Sequence, residues 1–131
     1  VSDSPDLDAC LARWHALVAD PDPAALAAQV HPDAVFRSPA VHRPQEGGAL
    51  VTAYLTAALR VLGPSITYHR EWRRETGAVL EFTALLGDRE VHGTDVVEWG
   101  ADGLIRDFTV LVRPLSGLTA LVERMAAELA R

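Results

Sequence analysis

The stretch Val91-His92-Gly93-Thr94-Asp95-Val96-Val97-Glu98-Trp99-Gly100-Ala101-Asp102-Gly103-Leu104-Ile105-Arg106-Asp107-Phe108-Thr109-Val110-Leu111-Val112-Arg113 reads as two strands joined by a turn. Both arms are rich in β-branched and aromatic residues, and Gly100 to Gly103 is made of turn formers. Strand side chains alternate between faces, so Val91, Gly93, Asp95, Val97 and Trp99 share one face and His92, Thr94, Val96 and Glu98 the other. Asp95 therefore has apolar neighbours on its own side. A carboxyl so placed is either partnered, by backbone or an arginine, or neutral with a raised pKa, because lost hydration disfavours its charged form.

Outward from this hairpin, the preceding segments also alternate. Ile66 to Arg74 sets Ile66, Tyr68, Arg70 and Trp72 against Thr67, His69, Glu71 and Arg73, with Arg74 and Glu75 continuing a solvated strand of alternating charge. Ala78 to Leu86 sets Leu80, Phe82 and Ala84 against Glu81 and Thr83. Upstream the period becomes helical. Leu7, Cys10, Leu11, Trp14, Leu17 and Val18 form one apolar face over Asp6 to Ala19. Asp22-Pro23 opens a short second helix from Ala24 to Val30, and His31-Pro32-Asp33 separates it from a brief strand at Val35-Phe36-Arg37. A third helix spans Ala49 to Leu62, with Leu50, Val51, Tyr54, Leu55, Ala58, Leu59 and Leu62 on its buried side and Gly63-Pro64 as its stop. A last helix, from Gly117 to Ala130 and capped by Ser116, carries the stripe Leu118, Leu121, Val122, Met125 and Leu129.

Helices first and antiparallel strands later predict an α+β fold, one curved sheet with helices on its concave face and an apolar interior. The chain of 131 residues has room for one domain, 1–131, and its 49% hydrophobic content supports a packed core. No apolar run approaches the roughly 20 residues needed to cross a bilayer. The opening acidic residues Asp3, Asp6 and Asp8 are unlike a secretory signal, so a cytoplasmic location is expected. A net charge of -6 argues against nucleic acid, which selects basic surfaces. With one cysteine, Cys10, there is neither an internal disulfide nor a thiolate cluster for a metal. No glycine-rich phosphate loop, His-Glu-x-x-His or Gly-x-Ser-x-Gly motif occurs, so no cofactor or metal is implied. All 12 basic residues are arginine and asparagine is absent, as in a GC-rich bacterial coding sequence.

The order of elements resembles the nuclear-transport-factor-2-like superfamily, which includes SnoaL-like polyketide cyclases and ketosteroid isomerases. The motifs that carry the resemblance are Asp33-Ala34-Val35-Phe36-Arg37-Ser38-Pro39, Gly47-Gly48 entering a helix, Asp102-Gly103-Leu104-Ile105 and Val112-Arg113-Pro114-Leu115. The resemblance implies a cone-shaped fold and a pocket for a hydrophobic carbonyl compound, polyketide- or steroid-like. Ketosteroid isomerases use an aspartate base and an oxyanion hole of a tyrosine and a protonated aspartate. Asp95 falls at the protonated aspartate, Trp14 at the tyrosine and Ser38 at the base. An indole N–H donates but does not accept, and a serine is no carboxylate. A substitute base would come from His15, His42 or His69. SnoaL-like cyclases imply a histidine–aspartate pair, so Asp95, Trp14, His42 and His15 are the candidate catalytic residues. The inward sets of helix and strands put Phe36, Ser38, Tyr54, Leu80, Phe82, Val97, Phe108, Val110 and Val112 around the pocket.

Two functions follow: an isomerase, cyclase or hydrolase acting on a hydrophobic carbonyl compound, or a non-catalytic ligand-binding or dimerisation module. Thr83, Thr94, Val96, Thr109 and Leu111 on the other sheet face predict a homodimer through that face.

Overall fold

In the computed structural model, which describes residues 4–131, four helices and six strands follow in the order α1 (Leu7–Ala19), α2 (Pro23–Ala27), β1 (Val30–Arg37), β2 (Gln45–Glu46), α3 (Gly48–Leu62), β3 (Thr67–Arg73), β4 (Gly77–Leu86), β5 (Arg89–Trp99), β6 (Ile105–Arg113) and α4 (Leu115–Leu129). The mixed α+β architecture is a curved, unclosed six-stranded sheet with the order β2-β1-β6-β5-β4-β3. Asp3 lies outside the described residues. Asp6 caps α1 by accepting from the Ala9 N–H, and Asp22 caps α2 by accepting from Ala24 and Ala25.

The β5–β6 hairpin forms as its alternation requires, with Asp95 opposite Val110, Val97 opposite Phe108 and Thr94 opposite Leu111. Gly103 turns it at φ +78°, a conformation that favours glycine. Val91, Gly93, Asp95, Val97 and Trp99 are all buried on one face. That face continues through Phe108 and Val110 of β6, Leu80 and Phe82 of β4 and Phe36 of β1, and it packs against α1, α3 and α4 to make the core.

Several sequence expectations are corrected. The sheet is not wholly antiparallel, because β1 pairs in parallel with β6. α2 ends at Ala27, and Val30 already belongs to β1. His31-Pro32-Asp33 is a register break inside that strand, and Pro32 sits where the ladder is interrupted and no N–H is required. Leu50 is 41% exposed. The core line of α3 is Val51, Leu55, Leu59 and Leu62, and Leu50 lies about 100° of helical turn away from it. α4 starts at Leu115 with Pro114 at its cap position and no side-chain cap, so Ser116 lies inside the helix. Of the α4 stripe, Leu121 is buried and Leu118 and Met125 are half-buried, whereas Val122 and Leu129 stay exposed.

The largest correction concerns β3. Thr67 and Tyr68 pair with Thr83 and Phe82, but Glu71 pairs with Leu80, so three steps along β3 match two along β4. Such a bulge reverses which face later side chains occupy. Tyr68 points to the concave side with Phe82, while Trp72 lies beside Val79 on the outer face rather than beside Tyr68. Glu71 and Arg73 consequently turn toward α1, where Arg73 bonds Glu71 at 2.6 Å and also pairs with Asp8. On the outer face Arg70 grips Glu81 with two 2.7 Å bonds, and His92 Nε2 lies 2.9 Å from the same carboxyl. The arginine and histidine contacts hold Glu81 far below the usual carboxylate range.

Candidate active site

Asp95, at the middle of β5, is 5% exposed and has no arginine partner. Its partner is Tyr68, whose hydroxyl donates to Asp95 Oδ2 at 2.7 Å. The Trp14 indole N–H donates in turn to the Tyr68 oxygen at 3.1 Å. Three elements thus converge: α1 supplies Trp14 from its apolar face, the pairing of Tyr68 with Phe82 ahead of the β3 bulge turns Tyr68 inward, and strand alternation buries Asp95. Burial raises the Asp95 pKa to about 7, with the Tyr68 hydrogen bond pulling it down only in part. Burial and the neighbouring carboxyl push the Tyr68 phenol well above its ordinary value.

These side chains stand on the wall of a cavity of about 290 Å³. Trp14, Phe108, Phe36 and Tyr54 make a run of aromatic contacts along one side: Trp14–Phe108 centroids are 5.0 Å apart, Phe36–Phe108 6.2 Å and Phe36–Tyr54 5.4 Å. The opposite wall is aliphatic, with Leu55, Leu59 and Leu62 from α3 and Leu121, Val122, Met125 and Leu129 from α4. Val41, Val122 and Leu129 line the cavity and are also exposed, which places its mouth between the 39–41 segment and α4. Asp95, Tyr54 and Tyr68 are the titratable groups on the wall. Trp14, Tyr68 and Asp95 thus gather their polar atoms at one place in an otherwise apolar chamber, the arrangement that binds and orients an uncharged oxygen-bearing ligand.

Of the expected wall residues, Trp14, Phe36, Ser38, Tyr54, Asp95, Phe108 and Val110 line the cavity. Leu80, Phe82 and Val97 do not: they are buried in solid core, since the cavity occupies only part of the concave sheet face. Phe82 instead packs edge-on against the Tyr68 ring at 6.2 Å, and Val112 is half-buried against the core. His42 is exposed in the 38–44 turn segment and off the wall. His15 lies behind the site, its ring edge-on to Tyr68 at 5.2 Å and its Nε2 3.8 Å from Glu71. His69 is exposed and bonds Thr83 on the outer face. The structure therefore joins Trp14 to Asp95 through Tyr68 and leaves all three histidines off the cavity wall, with His15 touching Tyr68 from behind. Sequence reading missed Tyr68, although its place in an alternating strand next to Ile66 was the signal that could have found it.

Among the described residues, no group of His, Cys, Asp and Glu could hold a metal ion, and no helix is long and apolar enough to cross a membrane. No curated protein matches the chain. Among solved structures it is similar to a steroid Δ-isomerase from Pseudomonas aeruginosa, at 44% identity over 94% of this chain and 90% of that one, with a TM-score of 0.88. It is also similar to an uncharacterised protein with a cystatin-like fold from Silicibacter pomeroyi, at 29% identity over 90% and 83% of the two chains and a TM-score of 0.82. A de novo designed protein with a curved β-sheet shares the fold alone, at 13% identity over 90% and 94% and a TM-score of 0.71. The SnoaL-like domain model matches residues 11–108, and the chain belongs to that family, within the nuclear-transport-factor-2-like superfamily.

Proposed function

We propose that the protein is a cofactor-independent isomerase-type enzyme acting on a hydrophobic carbonyl compound, with Asp95 as the group that moves the proton. The observation that carries this reading is the Trp14–Tyr68–Asp95 hydrogen-bond chain ending in an apolar cavity. Asp95 is the wall group that exchanges a proton near neutrality, and Ser38 supplies no carboxylate. The likeness to the Pseudomonas aeruginosa steroid Δ-isomerase supports the reaction class.

In the step we assign, the Asp95 carboxylate takes a proton from the carbon next to the ligand carbonyl. The C–H electron pair moves into the carbonyl system to give an enolate. Once protonated, Asp95 no longer needs the Tyr68 hydrogen, and the phenol, held by Trp14, turns to the enolate oxygen. Return of the same proton from Asp95 to the far carbon of the conjugated system completes a double-bond shift with no net change in atoms or electrons.

The test uses a β,γ-unsaturated cyclic ketone, whose conversion to the conjugated isomer is followed by ultraviolet absorbance, and 2-naphthol as a binding probe. Wild type is expected to convert the ketone and bind the naphthol. Asp95→Asn should bind without turnover, and Asp95→Leu should do neither. Turnover by Asp95→Leu, or absence of naphthol binding by wild type, would overturn the assignment. The second reading, a non-catalytic ligand-binding module, is favoured by the presence of one carboxyl where ketosteroid isomerases use two. Binding by wild type without turnover of any ketone would establish it.

We extend the proposal to a homodimer through the outer sheet face. Trp72, Leu85 and Leu111 stand exposed there, and the Arg70–Glu81 and Arg37–Asp107 pairs neutralise part of its charge within the chain. Ions already paired within the chain are buried against another copy at lower cost than unpaired ones.

A further inference from the structure

The sheet register puts a second polar position on the same wall. β1 and β6 run in parallel and end their pairing with Arg37 beside Thr109, so Ser38, the residue after β1, leaves the sheet at the level of Val110. Val110 pairs on its other side with Asp95. Ser38 and Asp95 thus flank Val110, two strand spacings or roughly 10 Å apart, and all three line the cavity. Ser38 Oγ accepts a 3.0 Å bond from the Ala40 N–H, which fixes the hydroxyl in the turn and leaves its own hydrogen to donate.

Tyr54 lines the same cavity. Its ring stacks on Phe36 with planes 25° apart, and Phe36 precedes Ser38 by two residues at the end of β1. No hydrogen bond engages the Tyr54 hydroxyl, and the one buried side-chain oxygen without a hydrogen-bond partner among the described residues is Glu128 Oε2, which faces Arg60. The Tyr54 hydroxyl therefore opens on space that a ligand or water fills. Between the two polar positions lie only Val110 and the aromatic and aliphatic walls.

We propose that Ser38 and Tyr54 form a second polar anchor, which holds the far oxygen of a ligand whose first oxygen is held by Tyr68 and Asp95. The ligand class is a rigid apolar body with an oxygen function at each end. This rests on the reading of the Tyr68–Asp95 end given above. The serine that removes a carboxylate from this wall has a positive role here, because a hydroxyl donates to or accepts from a neutral ligand oxygen and costs far less than a charge to bury.

The experiment compares 2-naphthol with 2,6-dihydroxynaphthalene, one rigid body with one or two terminal hydroxyls, by fluorescence titration of wild type, Ser38→Ala, Tyr54→Phe and Asp95→Leu. Wild type should bind the diol about fivefold more tightly than the mono-ol, the gain expected of one net hydrogen bond. Ser38→Ala and Tyr54→Phe should each weaken the diol more than 2-naphthol and so shrink that gain, while Asp95→Leu should weaken both ligands. Equal affinity of wild type for the two ligands, or a diol preference intact in Ser38→Ala and Tyr54→Phe, would overturn the second anchor and leave the first standing. Undiminished binding of both ligands by Asp95→Leu would overturn the first, and the anchor with it.

Discussion

Tyr68 donates to Asp95 Oδ2 at 2.7 Å, and among the described residues this is the polar contact that the buried carboxyl makes. A phenol is a weak substitute for the water and cations that normally stabilise a carboxylate, so the charged form of Asp95 is costly in the folded protein.

That cost predicts the dependence of stability on pH. Asp95 titrates near 7 when folded and near 4 when unfolded, so between these values the folded chain holds the proton that the unfolded chain has lost. Stability is full below pH 4 and declines as pH rises to 7, by up to ~4 kcal/mol. Asp95→Asn removes the titration. Thermal melts should show the variant more stable than wild type at pH 8, with the difference fading toward pH 4. Parallel pH profiles for the two proteins would contradict the buried, titrating carboxyl.

Removing the phenol should raise the Asp95 pKa further, because the Tyr68 hydrogen bond is the contribution that lowers it. NMR titration of the Asp95 carboxyl in Tyr68→Phe is expected to move to higher pH than in wild type. Trp14→Phe keeps the aromatic contact with Phe108 but strips the donor from the Tyr68 oxygen. It should weaken 2-naphthol binding several-fold, on the scale of ~1 kcal/mol for one hydrogen bond. A downward shift in Tyr68→Phe would show that the phenol does not serve the carboxylate.

α4 forms part of the cavity wall through Leu121, Val122, Met125 and Leu129, and of these Leu121 is only 4% exposed. Leu121→Ala should cost about 2–4 kcal/mol. Truncation after Pro114 should open the chamber, lower the melting temperature and create a site for a hydrophobic dye. An unchanged melt and no dye binding would mean that α4 does not close the core.

The outer face predicts the assembly. Light scattering at micromolar concentration should give twice the 14.1 kDa chain mass. Leu111→Asp, which places a charge at a 58% exposed position on that face, should return it to one copy without altering the melt by more than ~1 kcal/mol. A wild-type mass of one chain would end the proposal.

Alternation and helical period are properties of the covalent chain, and whatever depended on them alone was legible without coordinates. The β5–β6 hairpin, the burial of Asp95 beside Val97 and Trp99, the apolar face of α1 and the stripe of α3 around Val51, Leu55, Leu59 and Leu62 all belong here. So does the singular character of Asp95, because a carboxyl in an apolar set is expensive wherever the strand is buried. What the tertiary structure decided were relations between segments. An extra residue in β3 reverses the faces after Tyr68, and two-residue alternation carries no mark of such a bulge, so the period alone groups Tyr68 with Trp72 and Arg70. The parallel pairing of β1 with β6 set Ser38 at the level of Val110. The division of the concave face into filled core at Leu80, Phe82 and Val97 and open cavity at Phe36, Phe108 and Val110 depends on where the helices close against the sheet. Strand period places a side chain on a face, but only the packing of the other layer determines whether that place is filled by protein or left for a ligand.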